Sequence, residues 1–417
     1  MKIRLGDINM TNLFNKVGHK FFSKIKHGTL EVTYNNGKKK VYGNNQAPFE
    51  KITIHKSRFF YRLALYGDIG FAESYMDNDF DTPNLSGLIQ LSILNAEYLG
   101  TTSDHEKKNK LINLFPVKNK IKHVLRKNSK TNSRKNISAH YDLSNDFYKL
   151  MLDDTMMYSS AVFEHKDEDL FDAQKRKINK LADKLNINEG SKVLEIGSGW
   201  GAMAMHLAKE RNCDVTTVTL STEQKKLCED RFKEASIEEK IDIFLKDYRD
   251  LNGKYDAIIA VEMFEAVGKE YFDIFFKKCQ ELLKPSGVLV LQVITMPDQR
   301  YLTYSKGTDF IQKYIFPGGH LPSVGKILNI TTKHTNLNLN HMEEFTEDYA
   351  KTLNVWHENF KNNLEKVKEL GFDEYFIRMW EMYLCYCEAA FLTRNINLVQ
   401  LVFTRDQNIH LNKGLIA

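Results

Sequence analysis

Between residues 192 and 294 short apolar runs alternate with longer stretches of helical periodicity. The runs 192–196, 214–220, 241–245, 255–261 and 287–294 predict strands, and the amphipathic segments between them predict helices. That alternation predicts a parallel, doubly wound α/β sheet, whose ligands bind at the carboxyl ends of the strands. A helical insertion is predicted over about 322–393 and a last strand over 398–404. Upstream the rhythm changes. Strand-like pieces at 29–34 and 51–55 surround an Asn35-Asn36-Gly37 turn, and helical pattern follows to about Leu99. The organisation expected is therefore a small α+β domain over 1–105, a linker over 106–136 and the doubly wound domain over 137–417. There are no internal repeats.

The first strand of the alternating region runs straight into Gly197, Gly199 and Gly201, and a helical run begins at Ala202. Glycines there let a backbone approach a ligand, and the helix that follows points its free amides at the same place. Residues 197–202 fit the Gly-x-Gly-x-x-Ala form of a dinucleotide site, so a nicotinamide or flavin cofactor is one reading. Such a site wants an acid about 20 residues beyond the glycines to hold the ribose. The second strand ends instead in Thr219, Leu220 and Ser221, with Gln224 one turn later. Glu195 precedes the glycines, giving Glu-x-Gly-x-Gly-x-Gly, which resembles the S-adenosylmethionine site of the large methyltransferase class. A carboxylate at Glu195 can orient the glycine loop or meet the cofactor's ammonium group. The balance favours S-adenosylmethionine.

The 417-residue length suits two domains and allows a substantial core. Five cysteines without a repeated spacing argue for a reducing compartment, against a disulfide scaffold and against a zinc site, so no metal is expected. No run approaches the roughly 20 apolar residues of a membrane-spanning helix. Net charge is only +5, yet Lys107 to Lys135 carries eleven Lys and Arg and no acid, interleaved with Leu111, Ile112, Phe115, Ile121 and Val124. Such a segment can lie on an anionic bilayer; a solvated linker is the plainer alternative, and nucleic acid is not expected as a partner. Leu13, Phe14, Val17, Phe21 and Phe22 among Lys16, Lys20 and Lys24 suggest a basic amphipathic helix with the same two readings.

Further motifs follow in order: His140-Tyr-Asp-Leu-Ser-Asn-Asp146, Met157-Tyr-Ser-Ser160, Thr219-Leu-Ser-Thr-Glu-Gln224, Asp247-Tyr-Arg-Asp250, Met263-Phe-Glu-Ala-Val-Gly268 and Tyr314-Ile-Phe-Pro-Gly-Gly-His-Leu-Pro-Ser323. Together they closely resemble the cyclopropane-fatty-acyl-phospholipid synthase and mycolic acid methyltransferase family, over nearly the whole chain. The resemblance implies a Rossmann-like S-adenosylmethionine methyltransferase domain. It implies methyl transfer to the cis double bond of an unsaturated phospholipid acyl chain, then closure to a cyclopropane. The cysteine usage, the lack of an apolar signal core and the basic segments predict a cytoplasmic protein peripheral to the inner face of an anionic membrane, and a homodimer is a candidate assembly. A methyl- or methylene-branched lipid, a soluble natural product, or a non-catalytic lipid-binding role are the alternatives.

Matched motif by motif, the resemblance places Tyr158 and Ser159 near the methionine end of the cofactor, Gly197, Ser198 and Gly199 beneath it, Thr219, Leu220, Ser221 and Gln224 at the ribose, and Tyr248 with Arg249 at the adenine. Tyr314 and Phe316 are candidates to face a carbocation. The family keeps a bicarbonate held by a glutamate, a tyrosine, a histidine and main-chain groups. Glu265 and Tyr349 match the first two, and Ser160 and Ile294 the main-chain positions. This chain departs in three places: Ser160 stands where cysteine is usual, Gln292 stands for the histidine, and Ala266 follows Glu265 where histidine is common. A glutamine amide can still donate to an anion, but it does not change charge with pH.

Overall fold

The computed structural model describes residues 18–99, 144–406, 408 and 411. The basic stretch Lys107 to Lys135 and the N-terminal amphipathic segment up to Val17 lie outside the described residues. The chain divides into two compact units, one formed by 1–124, 302–315 and 364–395, the other by 125–301, 316–363 and 396–417. Two segments expected in the doubly wound domain, 302–315 and 364–395, thus group with the N-terminal unit. Among the described residues no helix is long and apolar enough to cross a membrane.

In the first unit, β1 (Thr29–Thr33) pairs antiparallel with β2 (Lys39–Gly43) and parallel with β3 (Phe49–Ile54), and β4 (Phe80–Asp81) closes the order β2-β1-β3-β4. Helices Arg58–Met76, Leu85–Leu94 and Glu374–Leu392 belong to this unit. The late helix is tied in by Arg378, whose guanidinium donates to the carbonyls of Tyr75 (2.5 Å) and Phe80 (2.9 Å) and to Asp81 (2.9 Å). A planar, five-donor cation is suited to satisfying several acceptors at once, and Arg378 adds these bonds to the packing of the late helix on helices Leu85–Leu94 and Arg58–Met76.

The second unit is built on seven strands in the order β10-β11-β9-β8-β5-β6-β7. β5 (Lys192–Ile196), β6 (Asp214–Thr219), β7 (Ile241–Leu245), β8 (Tyr255–Val261) and β9 (Leu283–Thr295) run parallel. β11 (Asn397–Arg405) pairs antiparallel with β9, and β10 (Leu337–Glu344) antiparallel with β11. β10 corrects the sequence reading, which placed helix throughout 322–393. Its side chains alternate in burial as a strand's should, but Asn338 and Asn340 are poor strand formers and mask the signal. The central strands are apolar on both faces because both are covered: Leu194, Ile196 and Ile258 pack with Phe272, Phe275 and Phe276, while Val193, Val215 and Ile259 pack with Met203 and Leu207. Glu195, Thr217, Gln292 and Gln400 interrupt this apolar sheet although each is buried. Buried polar groups need partners, and tracing those partners leads to the site.

Candidate functional site

At the end of β5 the amides of Gly197 and Ser198 both donate to the Val218 carbonyl at 3.0 Å, which turns the chain outward. Gly197 and Gly199 have φ of 97° and 49°, conformations open to glycine at little cost. Helix Ala202–Glu210 starts directly after the loop, so its first amides face the strand ends. Below it, Glu195 is buried and accepts a 2.6 Å hydrogen bond from Thr217. Burial pushes its carboxyl up to about 8, opposed by the Thr217 bond and by Lys177. At the end of β6, Thr219 donates to Gln224 Oε1 (2.7 Å) and Ser221 caps helix Thr222–Glu234 through the Gln224 amide. Leu220 stays partly exposed between them. Arg249 is paired with Asp247 at 2.6 Å and lies against the Tyr248 ring, whose buried hydroxyl has no hydrogen-bond partner among the described residues. A Cβ at Gly199 would meet nothing within 4 Å, so the loop leaves open space at the strand ends, which fits a bound nucleoside-containing cofactor.

The second part of the site lies where β8 and β9 end. β8 runs into Glu262, which sits at φ 49° and donates its amide to the Gln292 carbonyl at 2.8 Å. Its carboxylate gathers three donors. Oε1 accepts from the Ser160 amide (2.9 Å) and from Gln292 Nε2 (2.8 Å), and Oε2 accepts from the Tyr349 hydroxyl (2.5 Å). Glu265, on the 3₁₀ turn Phe264–Ala266, accepts from the Ile294 amide at 2.5 Å through Oε1. Its Oε2 is shielded from solvent and has no partner among the described residues.

The amide of Gln292 is oriented from behind. Lys184 donates to Gln400 Oε1, Gln400 Nε2 donates to Gln292 Oε1 at 2.8 Å, and only the Gln292 NH₂ is left to face Glu262. The register that pairs Gln400 with Gln292 across β11 and β9 builds this relay. On the other side, the strap carrying Tyr158, Ser159 and Ser160 is held to helix Thr346–Asn362. Ala161 donates its amide to Thr352 Oγ1 (3.0 Å) and Phe163 its amide to Asp348 (2.7 Å). Lys177 Nζ donates to Ser159 Oγ at 2.7 Å. Tyr158 packs against Trp356 and Phe316, with ring centroids at 5.3 and 6.5 Å.

The electrostatics are those of carboxyls crowded in a low-dielectric place around one cation. Burial pushes Glu265 up to about 8, the neighbouring Glu262 adds to the rise, and the Ile294 amide opposes it. Burial also raises Glu262, against hydrogen bonds from Tyr349, Gln292 and Ser160 and the charge of Lys177. Three donors mark Glu262 as the member of the pair that carries the charge, leaving Glu265 protonated at neutral pH. Lys177, fully buried, is brought down to about 7 by burial, with Glu262, Asp153 and Glu195 holding it up.

A stability prediction follows for Glu265. Its folded-state value is raised, so the stability it contributes is full below about 4.5 and is lost as pH rises through about 8. Glu265→Gln keeps the Ile294 contact and stays neutral. Melting curves of the two proteins should therefore run together near pH 5, and the variant should gain on the order of 3 kcal/mol by pH 9. A constant difference across that range would show Glu265 to be ionised throughout.

All five residues expected at the reaction centre, Glu265, Tyr349, Ser160, Gln292 and Ile294, are brought together, with one correction. Tyr349, Gln292 and the Ser160 amide serve Glu262, and only the Ile294 amide serves Glu265. Tyr314 falls in the first unit, where it donates to Glu73 at 2.7 Å, whereas Phe316 falls in the second. Glu262 and Lys177 were missed. Both left a signal: an apolar strand ends in Glu262-x-x-Glu265, and Lys177 lies on the buried stripe of helix Leu170–Lys184, between Ala173, Gln174 and Leu181.

The family profile described as mycolic acid cyclopropane synthetase matches residues 128–401, and a domain of unknown function (DUF7884) matches 17–104. The chain is 36% identical over 388 residues to tuberculostearic acid methyltransferase UfaA1 of Mycobacterium tuberculosis, covering 91% of this chain and 88% of that protein. It is 35% identical over 371 residues to the cyclopropane-fatty-acyl-phospholipid synthase of Escherichia coli, covering 87% and 89%. The solved structure of mycolic acid cyclopropane synthase CmaA1 with SAH and CTAB is 29% identical, with TM-score 0.61, and covers 65% of this chain and 98% of that one.

Proposed function

This chain belongs to the mycolic acid cyclopropane synthetase family of S-adenosylmethionine-dependent methyltransferases, and we propose that it methylates the cis double bond of an unsaturated phospholipid acyl chain and closes it to a cyclopropane. The observation that carries this reading is the pair of buried carboxyls, Glu262 and Glu265, at the strand ends of the sheet that bears the glycine loop. When bound, the cofactor supplies an electrophilic methyl group. Gly197, Ser198 and Gly199 would hold it from below, Glu195 would orient the loop, Thr219, Ser221 and Gln224 would meet the ribose, and Tyr248 the adenine.

An isolated alkene is a weak nucleophile, so the protein's part is alignment and exclusion of water. Tyr158 and Phe316, the former backed by the buried Trp356, form an aromatic wall that can face a carbocation without attacking it. Ring closure then requires loss of a proton, for which a carboxylate is the fitting base. The lipid is proposed to come from an anionic membrane surface reached from the cytoplasm. Similarity to a tuberculostearic acid methyltransferase favours methyl-branched lipid as the second reading.

The test is mass spectrometry of lipids after incubating the enzyme and S-adenosylmethionine with anionic vesicles of cis-monounsaturated phospholipid. The expected gain is one CH₂ per modified chain, with the alkene protons replaced by cyclopropane resonances. A saturated methyl branch, which gains CH₄, would establish the second reading. Methylation of headgroups alone would overturn both.

A further inference from the structure

We propose that Glu262 is the resident base of the ring-closing step, its own carboxylate standing where a free bicarbonate was expected. The inference rests on the alkene-methylation reading above. Three of the four donors assigned to a bicarbonate, the Ser160 amide, Tyr349 and the residue at 292, donate to Glu262 instead, at 2.9, 2.5 and 2.8 Å, and the fourth, the Ile294 amide, donates to Glu265. A second anion in that place would lack these donors and would meet the charge of Glu262. The residues present therefore do not fit a bound bicarbonate, and no step is derived through one.

Three further observations point the same way. Glu262 is held at φ 49°, where a non-glycine residue is strained, and strain of this kind gathers at functional sites. Glu262 lies at the carboxyl end of β8, the ligand edge of the sheet, whereas Gln292 and Lys177, which support it, are wholly buried. The Lys184–Gln400–Gln292 relay presents the NH₂ end of the Gln292 amide to that carboxylate, so this donor is fixed in place by the fold itself.

The step balances without a co-reactant. The alkene π pair forms a bond to the methyl carbon, the carbon–sulfur bond breaks with its pair left on sulfur, and a carbocation remains on the other alkene carbon. Glu262 takes a proton from the transferred methyl, the released C–H pair closes the third side of the ring, and the proton passes to water as product leaves. Tyr349, donating to the same carboxylate, is a positioning residue.

Two measurements on the full chain decide the matter. The first needs no lipid: NMR titration with ¹³C-bicarbonate should show no saturable binding to the wild type. Glu262→Gly, which removes the carboxylate at a φ that glycine prefers, should gain a site. The second is turnover in buffer stripped of carbon dioxide. The wild type should be unaffected, Glu262→Gln should lose about 100-fold or more while keeping its affinity for S-adenosylhomocysteine, and Glu262→Gly should be restored in part by added bicarbonate. Saturable bicarbonate binding by the wild type, a wild-type rate that collapses without it, or an unimpaired Glu262→Gln would overturn the assignment. Should Glu262→Gly not fold, the isosteric Glu262→Gln carries the test. A wild type that methylates no alkene would instead overturn the proposed function, and the binding titration would still decide what occupies the cradle.

Discussion

Gly199→Val should yield a folded protein that no longer binds S-adenosylhomocysteine. The three loop glycines are not equivalent. A Cβ at Gly197 would meet Met263 Cγ at 2.9 Å and one at Gly201 would meet Phe232 Cε1 at 2.7 Å, so both are packed by the protein itself. A Cβ at Gly199 meets nothing within 4 Å. Only there does a side chain enter the space that the loop presents to a ligand. At φ 49° the substitution strains the backbone by about 1–2 kcal/mol, which a protein of this size can bear. Gly190→Val is the control, since Gly190 also has positive φ and open surroundings but lies in the turn before β5. Calorimetry should show both variants melting lower than wild type. Only Gly199→Val should lose affinity, by at least about 100-fold, or roughly 2.7 kcal/mol. Equal affinity in both would mean that the cofactor is not seated on this loop.

The alternating region was legible because its central parallel strands are buried on both faces and read as continuous apolar runs, as in Val193-Leu194 and Ala257-Ile258-Ile259-Ala260. The glycine loop was legible for a different reason: its chemistry needs residues without Cβ at fixed spacing. β10 was not, because an edge strand is half polar and its Asn and Glu residues suit a helix surface as well. Nor was the grouping of 364–395 with the N-terminal unit, since periodicity reports that helix Glu374–Leu392 has an apolar face without reporting what covers it. At the site, motif matching named the donors but not the carboxylate on which they converge. Ser160, Gln292 and Tyr349 were each placed correctly in the chain, yet the carboxylate on which they converge belongs to Glu262, three residues before the one expected. Such convergence comes from strand register and side-chain direction, and neither is visible in spacing alone.

The buried-charge arrangement predicts a large effect far from the reacting atoms. Lys177 is fully buried, donates to Ser159 at 2.7 Å and is the cation toward which Glu262, Asp153 and Glu195 are drawn. Lys177→Met should keep the packing of the helix but leave those carboxyls without a counter-charge. Breaking a buried charge pair by removing one partner typically costs about 3–5 kcal/mol, because the other charge stays buried and uncompensated. Neutralising one of the acids should relieve part of that cost. Glu262→Gln, in combination with Lys177→Met, should therefore lose less than the two single losses added together, with a coupling of about 1 kcal/mol or more in denaturant melts. Catalysis offers an independent readout. Without the cation the Glu262 carboxyl holds its proton to higher pH, so the acidic limb of the rate profile should move upward while affinity for S-adenosylhomocysteine stays near wild type. Strictly additive stability losses together with an unmoved limb would reduce Lys177 to a space-filling residue; a displaced limb would establish that the charge state of Glu262 is set from the far side of the Tyr158–Ser160 strap.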